Sequence, residues 1–192
     1  FTTCGWMMWN WMISSLAVGA TVVLYEGSPF YPDADAMFDL VDEQGVTILG
    51  TGAKAIAAWE KAGIKPRETH QLNTLVTLLS TGSPLAPASF DYVYRDIKQN
   101  LCLSSIAGGT DIISCFISGC PILPVYRGEL QCAGLGMDVK VLREDGSEAD
   151  NGETGELCCA SPFPATPLSF WGDEDGSRLR AAYFEKFPGM WA

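Results

Sequence analysis

The chain predicts an α/β fold: a mostly parallel sheet flanked by helices, followed by a small antiparallel β subdomain. Three observations carry this. Short apolar runs alternate with segments of helical spacing four times between residues 19 and 106. The runs are continuous rather than alternating, as in strands covered on both faces, and parallel neighbours need crossover connections of the kind these helical segments supply. After Pro121 the punctuation changes to Asp145-Gly146 and Asn151-Gly152, dipeptides that turn one antiparallel strand into the next.

Residues 5–18 suit a buried helix, and Thr21-Val22-Val23-Leu24-Tyr25 reads as a buried strand. Pro32-Asp33 opens a segment with Ala36, Phe38, Leu40 and Val41 on near-helical spacing, ended by Gly45. Residues 46–49 form the next strand, 53–62 a helix stopped by Gly63, 75–79 a strand, 86–98 a helix and 101–106 a strand. Strands are expected at 139–142 and 156–159, and a polar loop from Asp173 leads into a helix that runs towards Phe187. The domain division expected is 1–127, the α/β part, and 128–192, the smaller β-rich part with its following helix.

Charge and cysteine usage narrow the function. A chain of 192 residues, 47% hydrophobic and 18% charged, is long enough for one large domain or one domain plus a small one. The net charge of −11 would repel a bare duplex, and the basic residues are scattered, so nucleic acid is a poor partner. ATP is not excluded, because a metal ion and backbone dipoles hold its phosphates. Seven cysteines lack any Cys-x-x-Cys pair, and His70 is the sole histidine, which argues against a zinc site. Their odd number and apolar settings point to buried, reduced thiols and a cytoplasmic protein. Residues 1–25 hold no charge until Glu26, but Gly19-Ala20 splits the run and polar Thr2, Thr3, Asn10, Ser14 and Ser15 interrupt it, so no membrane span is expected.

The stretch Ser104-Ser105-Ile106-Ala107-Gly108-Gly109-Thr110-Asp111 is the strongest candidate site. An apolar strand runs into two glycines, a hydroxyl and a carboxylate, which can surround a phosphate and its metal. Gly-Gly-Thr-Asp also reads as an ordinary turn, since Gly and Asp dominate turns. A second loop, Ser80-Thr81-Gly82-Ser83-Pro84, follows the preceding strand. Ligands of open α/β sheets bind beyond the carboxyl ends of strands, where both loops fall.

Five segments resemble the adenylate-forming acyl-CoA synthetases in order along the chain. They are 19–27, Ser80-Thr81-Gly82-Ser83-Pro84-Leu85, Gly108-Gly109-Thr110-Asp111-Ile112, Gly152-Glu153-Thr154-Gly155-Glu156-Leu157 and Pro167-Leu168-Ser169-Phe170-Trp171-Gly172-Asp173. The resemblance implies ATP, Mg²⁺ and coenzyme A: a carboxylate is activated as acyl-adenylate and then passed to the thiol. It implies that Gly82, Ser83 and Pro84 wall the adenine and that Ser105, Ile106, Ala107, Gly108, Gly109 and Thr110 run along the nucleotide. Thr110 would bond the α-phosphate. Asp111, where the family more often has Glu, would hold Mg²⁺ directly or through water, its shorter arm drawing the oxygen inward.

Acetyl-CoA synthetases carry a bulky Trp two residues before this Thr, where Gly108 stands here, so a larger acyl group such as acetoacetate, an acid used for lipid synthesis, is implied. Other short acids would also fit, because a pocket rejects bulk better than it selects shape. Met7, Met8 and Trp9 are candidates for the same acyl pocket, or for plain core packing. His70 has no nucleophile pattern near it; Asp33, Asp35, Asp39, Asp42 and Glu43 read as a solvated helix face, and Asp173-Glu174-Asp175 as a surface loop. The family's phosphate loop, ribose-binding Asp and lid domain have no counterpart within 1–192. The expectation is therefore a central fragment, inactive by itself and needing the remainder of the full-length chain, or else a truncated, non-catalytic binding module.

Overall fold

Three parallel strands, β1 (Ile48–Gly52), β2 (Thr77–Thr81) and β3 (Cys102–Ser105), lie in the order β1-β2-β3. A computed structural model describes all 192 residues. The register aligns Leu49 with Leu78 and Leu78 with Leu103, so three leucines, each 5% exposed or less, form one row on the buried face. The helix α2 (Ala36–Gln44) precedes β1; the crossovers are α3 (Ala53–Ala62) with the single turn α4 (Pro66–Thr69) between β1 and β2, and α5 (Pro87–Tyr92) before β3. Gly45 and Gly63 cap α2 and α3 in the left-handed conformation, as helix-stopping glycines do.

The core of this region joins Phe38 and Val41 of α2, Ile56 and Trp59 of α3 and the strand leucines to Tyr92, Val93 and Ile97. Phe38 and Trp59 have ring centroids 4.8 Å apart. The helix expected over 86–98 is realised in two pieces, α5 and a π-helical turn Val93–Ile97, after which Lys98 Nζ donates to the carbonyls of Leu72 at 2.5 Å and Leu75 at 2.7 Å. Burial alternates along β1 and β2, so the second face of the sheet is only partly covered.

Several expectations need correction. Residues 21–25 form no strand: no neighbouring segment offers a ladder, and an apolar, β-branched run without a partner leaves its backbone groups to solvent. The helix near the start, α1 (Met7–Ser14) with a 3₁₀ turn Ser15–Val18, has no buried residue. β1 and β2 both begin two residues later than the apolar runs: Val46 N–H instead closes α2 on Val41 O at 3.0 Å, and Leu75 N–H turns back onto Leu72 O at 3.2 Å. Asp39 and Asp42 are more than a solvated face. Asp42 accepts the N–H groups of Gln71 at 2.8 Å and Leu72 at 2.7 Å, and Asp39 meets His70 Nε2 at 3.0 Å. All seven cysteines are free, but only Cys158 and Cys159 are buried.

The chain divides into two compact units, Phe1–Ala107 with Ser118–Cys132, and Gly108–Ile117 with Ala133–Ala192. The second is β-rich. Its hairpin pairs β7 (Val139–Leu142) antiparallel with β8 (Glu156–Cys159), as the Asp-Gly and Asn-Gly punctuation predicts. Short strands β4 (Ala107–Gly109), β5 (Ser114–Ser118) and β6 (Cys132–Ala133) make a further small sheet that the apolar spacing did not announce. The helix α6 (Ser177–Phe184) follows a loop anchored by Asp173. That carboxylate is 6% exposed and accepts the N–H of Arg178 at 3.0 Å and of Leu179 at 2.9 Å, so it caps α6 instead of lying on the surface.

Candidate functional site

The first part of the candidate site is built by two parallel strands that end side by side. Ser80 pairs with Ser105, and Ile106 N–H donates to Ser80 O at 2.9 Å, so 82–84 and 105–107 leave the same edge of the sheet. Leu85 and Ile106, 5% and 8% exposed, pin these two segments to the interior. Gly82, with φ +83°, and Pro84 are exposed, and Ser83 is half-buried. The Trp6 ring lies against Gly82: a Cβ there would stand 3.7 Å from Trp6 Cζ2. Trp6 was not singled out in the sequence, and an aromatic face beside an exposed glycine is the only signal that marks it. Beneath the strand ends, the hydroxyls of Ser80 and Ser104 are buried without a partner.

The second part is the turn from β4 to β5. Gly108 is dictated by packing, since a Cβ at this position would collide with Ser114 O and stand 2.9 Å from Cys115 Cα. Two backbones approach here more closely than any side chain allows. At Gly109 a Cβ would fall 2.5 Å from Asp111 Oδ1, so the Asp111 carboxylate folds back over the glycine. Thr110 and Asp111 are both exposed at the turn, while the next residue, Ile112, is 2% exposed and anchors it. Ile113 completes the bend with φ +47°.

A third residue joins this turn from far along the chain. Tyr183 of α6 lies close enough to the Asp111 carboxylate to feel its charge. Burial first, and then that carboxylate, push the phenol up to about 12, so it stays a proton donor at neutral pH. Its ring stacks on Trp191 with centroids 3.7 Å apart and planes at 16°. Nothing local in the sequence links residues 111 and 183.

Chemically, the turn offers a hydroxyl donor and a carboxylate on adjacent residues, both open to a ligand. Magnesium is commonly held by one or two carboxylates, water and substrate phosphates. An exposed Asp111 with lone pairs to spare fits that demand. No group of three or more His, Cys, Asp or Glu side chains is placed to hold a metal by itself. Met7, Met8 and Trp9 lie half-buried on α1. His70 is structural: its side chain is 7% exposed and its Nδ1 meets Thr69 Oγ1 at 2.8 Å. No helix is long and apolar enough to cross a membrane.

Residues 2–166 match the family model described as AMP-binding enzyme. The chain is similar throughout its length to acetoacetyl-CoA synthetases: 55% identical over 192 residues to that of Xenopus tropicalis, 58% to that of Danio rerio and 52% over 191 residues to that of Rhizobium meliloti (strain 1021). It spans 28–29% of the length of these curated relatives. The solved acetoacetyl-CoA synthetase from Streptomyces lividans superposes with a TM-score of 0.92 at 41% identity, covering all of this chain and 30% of that one.

Proposed function

Because this chain belongs to the AMP-binding enzyme family, we propose that it is a stretch of an ATP-dependent acid–thiol ligase that activates acetoacetate and transfers it to coenzyme A. The chemistry has two steps. A carboxylate oxygen of the acid attacks the α-phosphorus of ATP and pyrophosphate leaves. The thiol sulfur of coenzyme A then attacks the acyl carbonyl, AMP departs with the bridging oxygen, and the thiol proton passes to solvent.

The observation that carries this reading is the exposed Thr110–Asp111 pair on a turn whose backbone is locked by Gly108 and Ile112. Thr110 Oγ1 donates to an α-phosphate oxygen, where charge grows as pyrophosphate leaves. Asp111 holds Mg²⁺, which neutralises phosphate oxygens when bound. Gly82, Ser83 and Pro84 line the adenine, and Ser105, Ile106 and Ala107 continue along the nucleotide. Acetoacetate as the acid is supported by the names of the relatives. Gly108 adds less to that choice than its comparison with Trp promised, because the approach of Ser114 requires a glycine whatever the substrate. Activity is assigned to the whole enzyme, given that these residues span 28–29% of the relatives' length. Seven free thiols support a reducing, cytosolic setting.

The test is acetoacetate-dependent pyrophosphate exchange in the full-length protein. Thr110→Ala and Asp111→Ala should each lower the rate by about 10²–10³, the usual cost of one charge-stabilising group. Exchange at the parent rate in both variants would sink the assignment of the turn.

A further inference from the structure

We propose that Trp6 is a positioning residue for the loop 82–84, its indole backing the strand-end bend whose backbone meets the adenine. The inference rests on the reading of Gly82, Ser83 and Pro84 as the adenine wall. It adds a residue from the entry to α1, ahead of the Met7, Met8 and Trp9 candidates.

The loop has little else to hold it. Its base is fixed on both sides: Ile106 N–H donates to Ser80 O at 2.9 Å before it, and Leu85, 5% exposed, enters the core after it. Between these anchors no turn hydrogen bond ties 82–84 to the rest of the chain. Gly82 bends with φ +83°, in the left-handed region that favours glycine. Beyond its chain neighbours, Trp6 Cζ2 and Cη2 are the only atoms within 4 Å of where a Gly82 Cβ would stand, at 3.7 and 3.9 Å. One ring therefore bounds that side of the bend.

The ring is itself held. Trp6 N–H donates to Thr3 O at 3.1 Å, and Trp6 O accepts the N–H of Trp9 at 3.0 Å as α1 begins. With Phe30, Thr51, Gly52 and Ala55, Trp6 lines a cavity of about 350 Å³ at the carboxyl end of β1. Gly52 pairs with Thr81, the residue before Gly82, so the indole spans the ends of two neighbouring strands. An indole has few side-chain torsions to freeze, and it fixes a neighbouring backbone at small entropic cost. Without it the bend would face an enlarged void and could sink towards it.

The experiment titrates the full-length protein by calorimetry with AMP and, separately, with pyrophosphate, which carries no base, for the parent, Trp6→Ala, Trp6→Phe and Gly82→Val. Trp6→Ala should raise the AMP dissociation constant about tenfold, within the ~10²-fold that a 1 Å misplacement can cost, and leave that of pyrophosphate unchanged. Trp6→Phe, which keeps an aromatic ring, should recover most of the loss. Gly82→Val puts a branched side chain at a left-handed φ and should also weaken AMP. In pyrophosphate exchange, Trp6→Ala should raise KM for ATP about tenfold with KM for acetoacetate at the parent value, a split that a merely loosened fold would not give. Parent-like AMP affinity in Trp6→Ala beside a weakened Gly82→Val would overturn the positioning role and leave the adenine reading standing. Parent-like AMP affinity in Gly82→Val would overturn both. Equal losses for AMP and pyrophosphate in Trp6→Ala would also overturn the role of Trp6.

Discussion

Trp59 and Trp191 sit at the centres of two differently built units. Trp59, 1% exposed, belongs to a cluster of seventeen buried residues that joins three helices to a parallel sheet. Trp191, 6% exposed, belongs to a cluster of four, where a stacked Tyr183 and edge-on Phe163 and Phe184 substitute for a deep aliphatic interior. The first unit is stabilised mainly by apolar area removed from water, the second by fewer, more directional contacts. That contrast bears on function: the turn carrying Thr110 and Asp111 is anchored through Ile112 in the smaller cluster, so chemistry there should respond to aromatic changes in that cluster.

The largest effect tests the contrast directly. Trp59→Ala should destabilise by about 5 kcal/mol and Trp191→Ala by about 3 kcal/mol, read from urea denaturation, because the smaller cluster can collapse further around a void. Equal costs would erase the distinction between the units. Next come two carboxylates that each satisfy paired backbone donors, one per unit. Asp42→Ala frees the N–H groups of Gln71 and Leu72, and Asp173→Ala uncaps α6. Each should cost about 1–2 kcal/mol.

The smallest effect is one of pH. The N–H of Asp150 and then the Arg143 guanidinium hold the Glu153 carboxyl below its ordinary value of 4.5, and hydrogen bonds from Ser147 hold Asp145 below 3.8. A depressed carboxylate stabilises above its unfolded pKa, and the contribution is lost as pH falls through the folded value. Acid below about pH 4.5 should therefore loosen the β7–β8 hairpin first, seen as early loss of amide protection at Val141 and Leu157. Arg143→Gln should remove part of that pH dependence. Simultaneous loss of protection in the parallel sheet would show that the hairpin is no separate unit of stability.

Legibility from the sequence followed the range of the interaction. The helix of 53–62 and its stop at Gly63 were readable, since apolar spacing and a left-handed glycine act within a few residues. So were the β7–β8 hairpin and the loop at 82–84, announced by turn residues next to strand ends, whereas of 108–111 only Thr110 and Asp111 form the turn, Gly108 and Gly109 ending β4. The run 21–25 misled because β-branched character says only that a segment would suit a sheet. Asp173 misled because charge density resembles a solvated loop until two backbone N–H groups converge on it. At Gly108 the sequence suggests room for an acyl group, whereas the reason visible in the folded chain is a close approach of β5.

By itself the sequence determined the α/β character, the parallel strands with their intervening helices and the β7–β8 hairpin, because periodicity and turn chemistry are written into neighbouring residues. Only the tertiary structure decided that Gly108 must lack a side chain, that Asp173 caps α6 and that Asp42 holds the backbone of Gln71 and Leu72. Those facts depend on which backbone and side-chain groups the folded chain brings together, and no local pattern records which donors will meet a given carboxylate.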